Sequence, residues 1–266
     1  MSVKIDAGYS LTDGKHAHIL HAGNSFEFTV DQANTTNVAD TDLYSEAAVE
    51  NELTIDRYKA NSATWTIDLD LDAGSQSCNC IAIGSDDIAT NGQTITIQRG
   101  TTTIDSVAPT VDSPLMFFFA SQASLRWRIL GSGGTAASIY NVKIGNALAF
   151  ERPFYSGFSP ARMNRATDVI GNVSRNGELM GRSVKRTILN EQYDWQNLTY
   201  TWVRNNLDGP TGLIQSLETK PAYIAWRPSE VADTSFIMRG TTQPPQAQGI
   251  RDLWSFSMSA EVHAYE

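Results

Sequence analysis

Hydrophobic and polar positions alternate along this chain in short runs. Trp65, Ile67 and Leu69 alternate with Thr66 and Asp68, Ile95 and Ile97 with Thr94, Thr96 and Gln98, and Leu125, Trp127 and Ile129 with Arg126 and Arg128. A period of two places one set of side chains on each face of a strand, so each run predicts a half-buried β-strand. Phe117-Phe118-Phe119 is continuously apolar and suits a strand covered on both faces. The cleanest run lies near the C-terminus. Trp254, Phe256, Met258, Ala260, Val262 and Ala264 share one face, and Ser255, Ser257, Ser259, Glu261 and His263 the other. Gly, Asn, Asp and Ser separate the runs, and Asn91-Gly92 is a strong turn signal.

Helix signals are few. Asp194 can cap a segment that carries Trp195, Leu198, Trp202 and Val203 on one face and ends near Asp208-Gly209-Pro210, which predicts one helix. Pro221 and Pro228 bracket a short strand from Tyr223 to Trp226, and Gln243-Pro244-Pro245-Gln246 reads as a loop. The expected fold from this spacing is mainly β, a β-sandwich or barrel.

Charge divides the chain. The formal total is -9; residues 1–150 hold 8 basic and 17 acidic side chains, and residues 151–266 hold 12 of each. Within 151–190 seven basic residues face three acids. The boundaries expected are an N-terminal arm or first strands over 1–40, the sandwich over 41–150 and a second domain over 151–266. The net field repels phosphate, which argues against nucleic-acid recognition. No apolar run approaches the roughly 20 residues of a membrane helix. The start of the chain lacks the basic-then-apolar order of a secretory signal.

Cys78 and Cys80 would share one face of a flat strand, about 7 Å apart, too far for a ready disulfide, and read as small core or edge residues. His16, His18 and His21 form a cluster that reads as a polar loop, with metal binding as the alternative. Asp68, Asp70 and Asp72 line one strand face, with Asp86-Asp87 in a later turn; a solvated outer face is expected, and a calcium ion is the alternative. No cofactor or resident metal is expected. Gly-x-Ser-x-Gly is absent and no Lys follows Gly131-Ser132-Gly133-Gly134 in P-loop position, so no enzymatic activity is expected.

Two stretches carry a resemblance. Trp65-Thr66-Ile67-Asp68-Leu69, Arg126-Trp127-Arg128-Ile129 and the closing run from Ile139 to Gly145 resemble the strand order of galactose-binding-like, discoidin-type jelly rolls. That resemblance implies a jelly-roll β-sandwich followed by a smaller β-barrel-like domain with one α-helix. From Glu151-Arg152-Pro153-Phe154 through Ser174-Arg175-Asn176-Gly177-Glu178 to Lys220-Pro221-Ala222-Tyr223-Ile224-Ala225-Trp226-Arg227-Pro228, the chain is similar to minor tail proteins of tailed phages, including distal tail proteins. That resemblance implies a structural virion protein, assembled in the host cytoplasm into a ring at the tail tip. Its partners would be other copies of itself and the neighbouring tail-tube and tail-tip proteins. The alternative is recognition of host cell-surface glycan, for which Tyr44 and Tyr58 are the weaker candidates for a platform, Trp65 and Trp127 reading as core. Arg162, Arg165, Arg175, Arg182, Lys185 and Arg186 are the expected oligomer interface, through pairing with acids of a neighbouring copy.

Overall fold

The alternating runs do form strands, and a computed structural model arranges them in three main sheets. It describes residues 2–31, 36, 46–50, 57–154, 165–173, 175–176, 178–249 and 252–263. In chain order the strands of the first part are β1 (Val3–Ile5), β2 (His18–Leu20), β3 (Phe28–Val30), β4 (Tyr58–Lys59), β5 (Trp65–Leu71), β6 (Gln76–Gly84) and β7 (Thr94–Arg99). They continue with β8 (Thr102–Val107), β9 (Leu115–Ser124), β10 (Arg126–Ser132), β11 (Ser138–Ile139), β12 (Asn141–Gly145) and β13 (Leu148–Ala149). The rest of the chain gives β14 (Arg165–Val173), β15 (Leu179–Thr199), α1 (Tyr200–Asn206) and α2 (Leu213–Thr219). It closes with β16 (Ala222–Arg227), β17 (Val231–Thr242), β18 (Gln246–Ala247) and β19 (Leu253–Val262).

A four-stranded sheet, β1-β9-β6-β12, faces a five-stranded sheet, β3-β5-β10-β7-β8, with β4 and β11 paired at the side. Trp65, Ile67, Leu69, Ile81, Ile83, Ile97, Phe117, Phe119, Trp127 and Ile129 fill the space between them. This is the expected jelly-roll sandwich. Gly131 permits that packing: a Cβ there would stand 2.0 Å from the Trp65 ring. Gly134, at φ +55, lies against the Asn91 carbonyl, where a Cβ would come within 1.8 Å. The glycine-rich loop therefore serves close approach inside the sandwich.

The third sheet, here called the platform, runs β13-β2-β16-β17-β19-β15-β14, with β18 paired to β19. Its two faces are both covered. Ile19, Trp195, Ile224, Ile237, Phe256 and Met258 pack toward α1 and α2. Leu20, Tyr223, Ala225 and Phe236 pack against Cys80, Ala82, Met116 and Phe118 of the four-stranded sheet. Phe118 thus points away from Phe117 and Phe119 into a second core, which is why the run from 117 to 119 is apolar at every position.

The path of the chain is not that of two modules in series. β1 joins the sandwich, parallel to β9. β2 joins the platform between β13 and β16, with Leu148 opposite Ile19 and Tyr223 opposite Leu20. The chain then builds the sandwich and returns in β13, beside the strand from which it left. Apart from β1, the sandwich is an insertion between two neighbouring platform strands.

Two local readings are corrected. Cys78 and Cys80 lie on opposite faces, in different cores, because the β6–β9 register shifts between them. Both are buried and free, and burial raises the Cys78 thiol to about 12. The helix does not start at Asp194: β15 runs on to Thr199, whose hydroxyl accepts from the Trp202 amide and caps α1. The spacing of Trp195, Leu198 and Trp202 looked helical because a bulge between Trp195 and Leu198, with Asn197 at φ 61, adds a residue to the strand period. A second helix, α2, follows.

Candidate assembly and recognition surfaces

β15 is 21 residues long, yet β19 pairs with it only from Leu189 to Thr199. Among the described residues, 179–188 pair with β14 alone and no strand lies on the far side of β14. The hairpin therefore continues past the sheet as a two-stranded arm, about 30 Å long at roughly 3.3 Å per residue. An isolated two-stranded ribbon is marginally stable in water. Ile170 and Met180 on this arm are 49% and 74% exposed.

The register sets Arg182 opposite Gly171 and Arg186 opposite Asp168. Arg175 is exposed beside the turn. Arg162 lies outside the described residues, as do the side chains of Arg165, Arg182, Lys185 and Arg186. Residues 165–188 hold five basic and two acidic side chains, +3, which leaves -12 on the remainder of a chain whose total is -9.

The acidic stripe on β5 is solvated only in part: Asp72 is exposed as the sequence suggested, Asp70 is half-buried and Asp68 is buried. β10 lies beside β5 with Arg126 opposite Asp70 and Arg128 opposite Asp68. Arg128 pairs with Asp68 through two contacts, Nη2 to Oδ2 at 2.6 Å and Nε to Oδ1, and Asp68 is fully buried. Arg126 grips Asp70 at 2.7 and 2.8 Å and reaches Asp31 at 2.7 Å. These carboxylates raise the affinity of both guanidinium groups for their protons. Asp72 accepts from the Thr29 hydroxyl at 2.8 Å. Cross-strand arginines neutralise Asp68 and Asp70, while Asp72 faces solvent.

Asp86 sits where sandwich meets platform, 2.7 Å from Arg57 and 3.9 Å from His263. Burial alone would raise its pKa, but the nearby His263 ring and the hydrogen bond and charge of Arg57 outweigh that and hold it at about 2. Burial raises Asp87, which accepts from the Ser138 amide at 2.9 Å and the Ser85 hydroxyl at 3.1 Å.

His18 and His21 are buried, against the expectation of a polar loop. His18 packs edge-on to Phe118, and its Nδ1 lies 3.1 Å from the His16 carbonyl. His16 Nδ1 lies 2.8 Å from the Phe150 carbonyl, and His21 Nδ1 accepts from the Gly23 amide at 3.2 Å. Each ring serves the backbone where the chain passes from platform to sandwich. Among the described residues, no three His, Cys, Asp or Glu side chains converge on a metal position.

For sugar stacking, Trp65 and Trp127 are core, as expected, and Tyr58 is core as well, its hydroxyl donating to the Thr36 carbonyl at 2.8 Å. Tyr44 lies outside the described residues. No aromatic side chain of the described sandwich residues is exposed.

No protein-family model matches the chain, and no curated protein matches it. Its similarity is to solved structures. One is a family 32 carbohydrate-binding module of AlyQ in complex with 4,5-unsaturated mannuronic acid, 17% identical, over 45% of this chain and 96% of that one, at a TM-score of 0.38. Another is a family 32 module from Clostridium perfringens in complex with GalNAc-β-1,3-galactose, 12% identical, over 46% and 99%, at 0.38. A chitosan-binding module from Paenibacillus sp. IK-5 is 13% identical over 45% and 95%, at 0.37. The similarity spans less than half of this chain.

Proposed function

We propose that the chain is a binding and assembly protein without catalytic function, in which the platform holds an assembly together and the inserted sandwich is displayed as a recognition head for cell-surface glycan. The observation that carries this reading is the insertion: the sandwich is tethered at both ends to adjacent platform strands, β2 and β13. A module held in that way keeps its orientation relative to whatever the platform builds. The glycan reading takes up the carbohydrate chemistry for which the similar modules are named.

The assembly reading rests on the arm. A basic ribbon with exposed Ile170 and Met180, on a body of opposite charge, suits a contact in which one copy's arm meets the next copy's acidic surface. Such a contact joins different patches on the two partners, and it closes into a ring when the rotation permits. We place this ring in the tail of a phage virion, as a minor or distal tail component.

Size-exclusion chromatography with light scattering tests the assembly. The chain is expected to self-associate, and Arg182→Glu/Arg186→Glu to remain monomeric with an unchanged circular-dichroism spectrum. High salt is expected to weaken association of the unmodified chain. Association of the double variant equal to that of the original chain would remove the arm from the interface. Glycan binding is tested separately, by presenting the full chain to immobilised cell-surface polysaccharide.

A further inference from the structure

The platform carries a depression of about 230 Å³ at a point where both neighbours of β19 loosen. On one side, the bulge at Gln196 and Asn197 interrupts pairing between Trp195–Phe256 and Leu198–Trp254. On the other, β17 leaves β19 after Thr242, and the chain rejoins it only at Gln246, opposite Ser255. A bulge re-aims the side chains beside it. Here Asp194, Gln196, Gln243, Gln246, Ser255 and Ser257 line the opening.

The chemistry of this lining is narrow. Three amides each offer a donor group and an acceptor, the serines offer hydroxyls, and one carboxylate accepts. Among the described residues no basic side chain lines the site, so an anionic ligand meets a carboxylate and no described counter-charge. The amides of Gln196 and Gln246 are spent on no partner among the described residues. The loop that closes the site is pinned: the Gln243 amide donates to the Ser257 carbonyl at 3.0 Å, and the Ser257 hydroxyl donates to Gln243 Oε1 at 3.3 Å. The Ser255 hydroxyl donates to the Gln246 carbonyl at 3.4 Å, and Pro244 and Pro245 stiffen the turn. Little ordering remains to be done on binding.

We infer that this platform depression is a binding site for one neutral saccharide ring, recognised by hydrogen bonds to adjacent hydroxyls. Its volume falls below the roughly 300–1,000 Å³ of sites for larger ligands, which limits it to a single residue such as a glycan terminus. The inference rests on the glycan reading above but moves the contact from the inserted sandwich to the platform, where hydrogen bonding takes the place of aromatic stacking.

The test is saturation-transfer NMR and calorimetry on the full chain. The probes are methyl β-galactopyranoside, methyl α-mannopyranoside and N-acetylglucosamine, with sialic acid as the anionic comparison. At least one neutral sugar is expected to bind and sialic acid is not. Gln196→Ala and Gln246→Ala, both surface changes, are expected to weaken binding tenfold or more, and Thr101→Ala, on a sandwich turn, to leave it unchanged. Binding that survives both glutamine changes would overturn this site while leaving glycan recognition standing. Binding of none of the neutral sugars by the original chain would overturn both.

Discussion

Replacing Arg128 with methionine is expected to destabilise the sandwich by about 3–5 kcal/mol, the usual cost of breaking one side of a buried ion pair. Asp68 is fully buried on the outward side of β5, and both of its carboxylate oxygens are held by Arg128 from the adjacent strand. Methionine keeps the length of the apolar stem but leaves the carboxylate without the guanidinium that neutralises it. The double variant Asp68→Leu/Arg128→Met removes both charges and should recover much of the loss, because the desolvation cost disappears with the charge. Urea unfolding followed by tryptophan fluorescence reports the difference, since Trp65 and Trp127 lie in the same sheet. A single variant within 1 kcal/mol of the original chain would show that water or another group replaces Arg128. The matching change at Arg126 should matter far less, because that side chain is more exposed and its pair with Asp70 is screened by solvent.

Such a pair shows what a sequence can and cannot disclose. The alternation at 65–69 and at 94–98 was legible because each strand has one face in the core, and a period of two follows directly from that. The run at 254–262 was legible for the same reason: Phe256, Met258, Ala260 and Val262 are all buried. Asp68 and Arg128 were both visible as residues, but only the register of β5 against β10 makes them partners. Register depends on contacts between positions 60 residues apart, and no local pattern encodes it.

Bulges caused the other misreadings. At the shift between Cys78 and Cys80, Asn79 faces three residues of β9 (119–121) and the two sulfurs part into separate cores; one extra residue beyond Trp195 made a strand look like a helix. Insertion of the sandwich was equally hidden. Nothing in the composition of His18-Ile19-Leu20 says that it pairs with β13 and β16 rather than with the sandwich strands that follow it. Of the candidate surfaces, the basic stretch was evident from composition, whereas its form as an arm required knowing where β19 stops. The platform depression left no sequence signal beyond glutamines beside prolines, because it arises where two pairings loosen at once.

His18 and His21 also make the molecule acid-sensitive. His21 is 3% exposed, and its Nδ1 accepts a hydrogen bond from Gly23, which requires a neutral ring. Burial, reinforced by the positive charge of Lys143, lowers its pKa from 6.5 to about 4. Burial lowers His18 as well. In the unfolded chain both rings take up protons near pH 6.5, while the folded chain resists protonation. Between pH 6.5 and 4 the unfolded state therefore binds more protons, so stability falls as the pH drops through that window and is constant above it. For His21 alone, the loss between pH 7.5 and 5 should be about 2 kcal/mol, at 1.36 kcal/mol per pH unit. Asp86 acts lower: its depressed pKa of about 2 means its contribution holds above 3.8 and is lost only below that. Urea midpoints measured from pH 7.5 to 5 thus isolate the histidines. His21→Gln should be less stable at pH 7.5 but show a flatter pH profile, because glutamine takes up no proton. A flat profile in the original chain would mean that water reaches His21 and that the passage between platform and sandwich is looser than its packing implies.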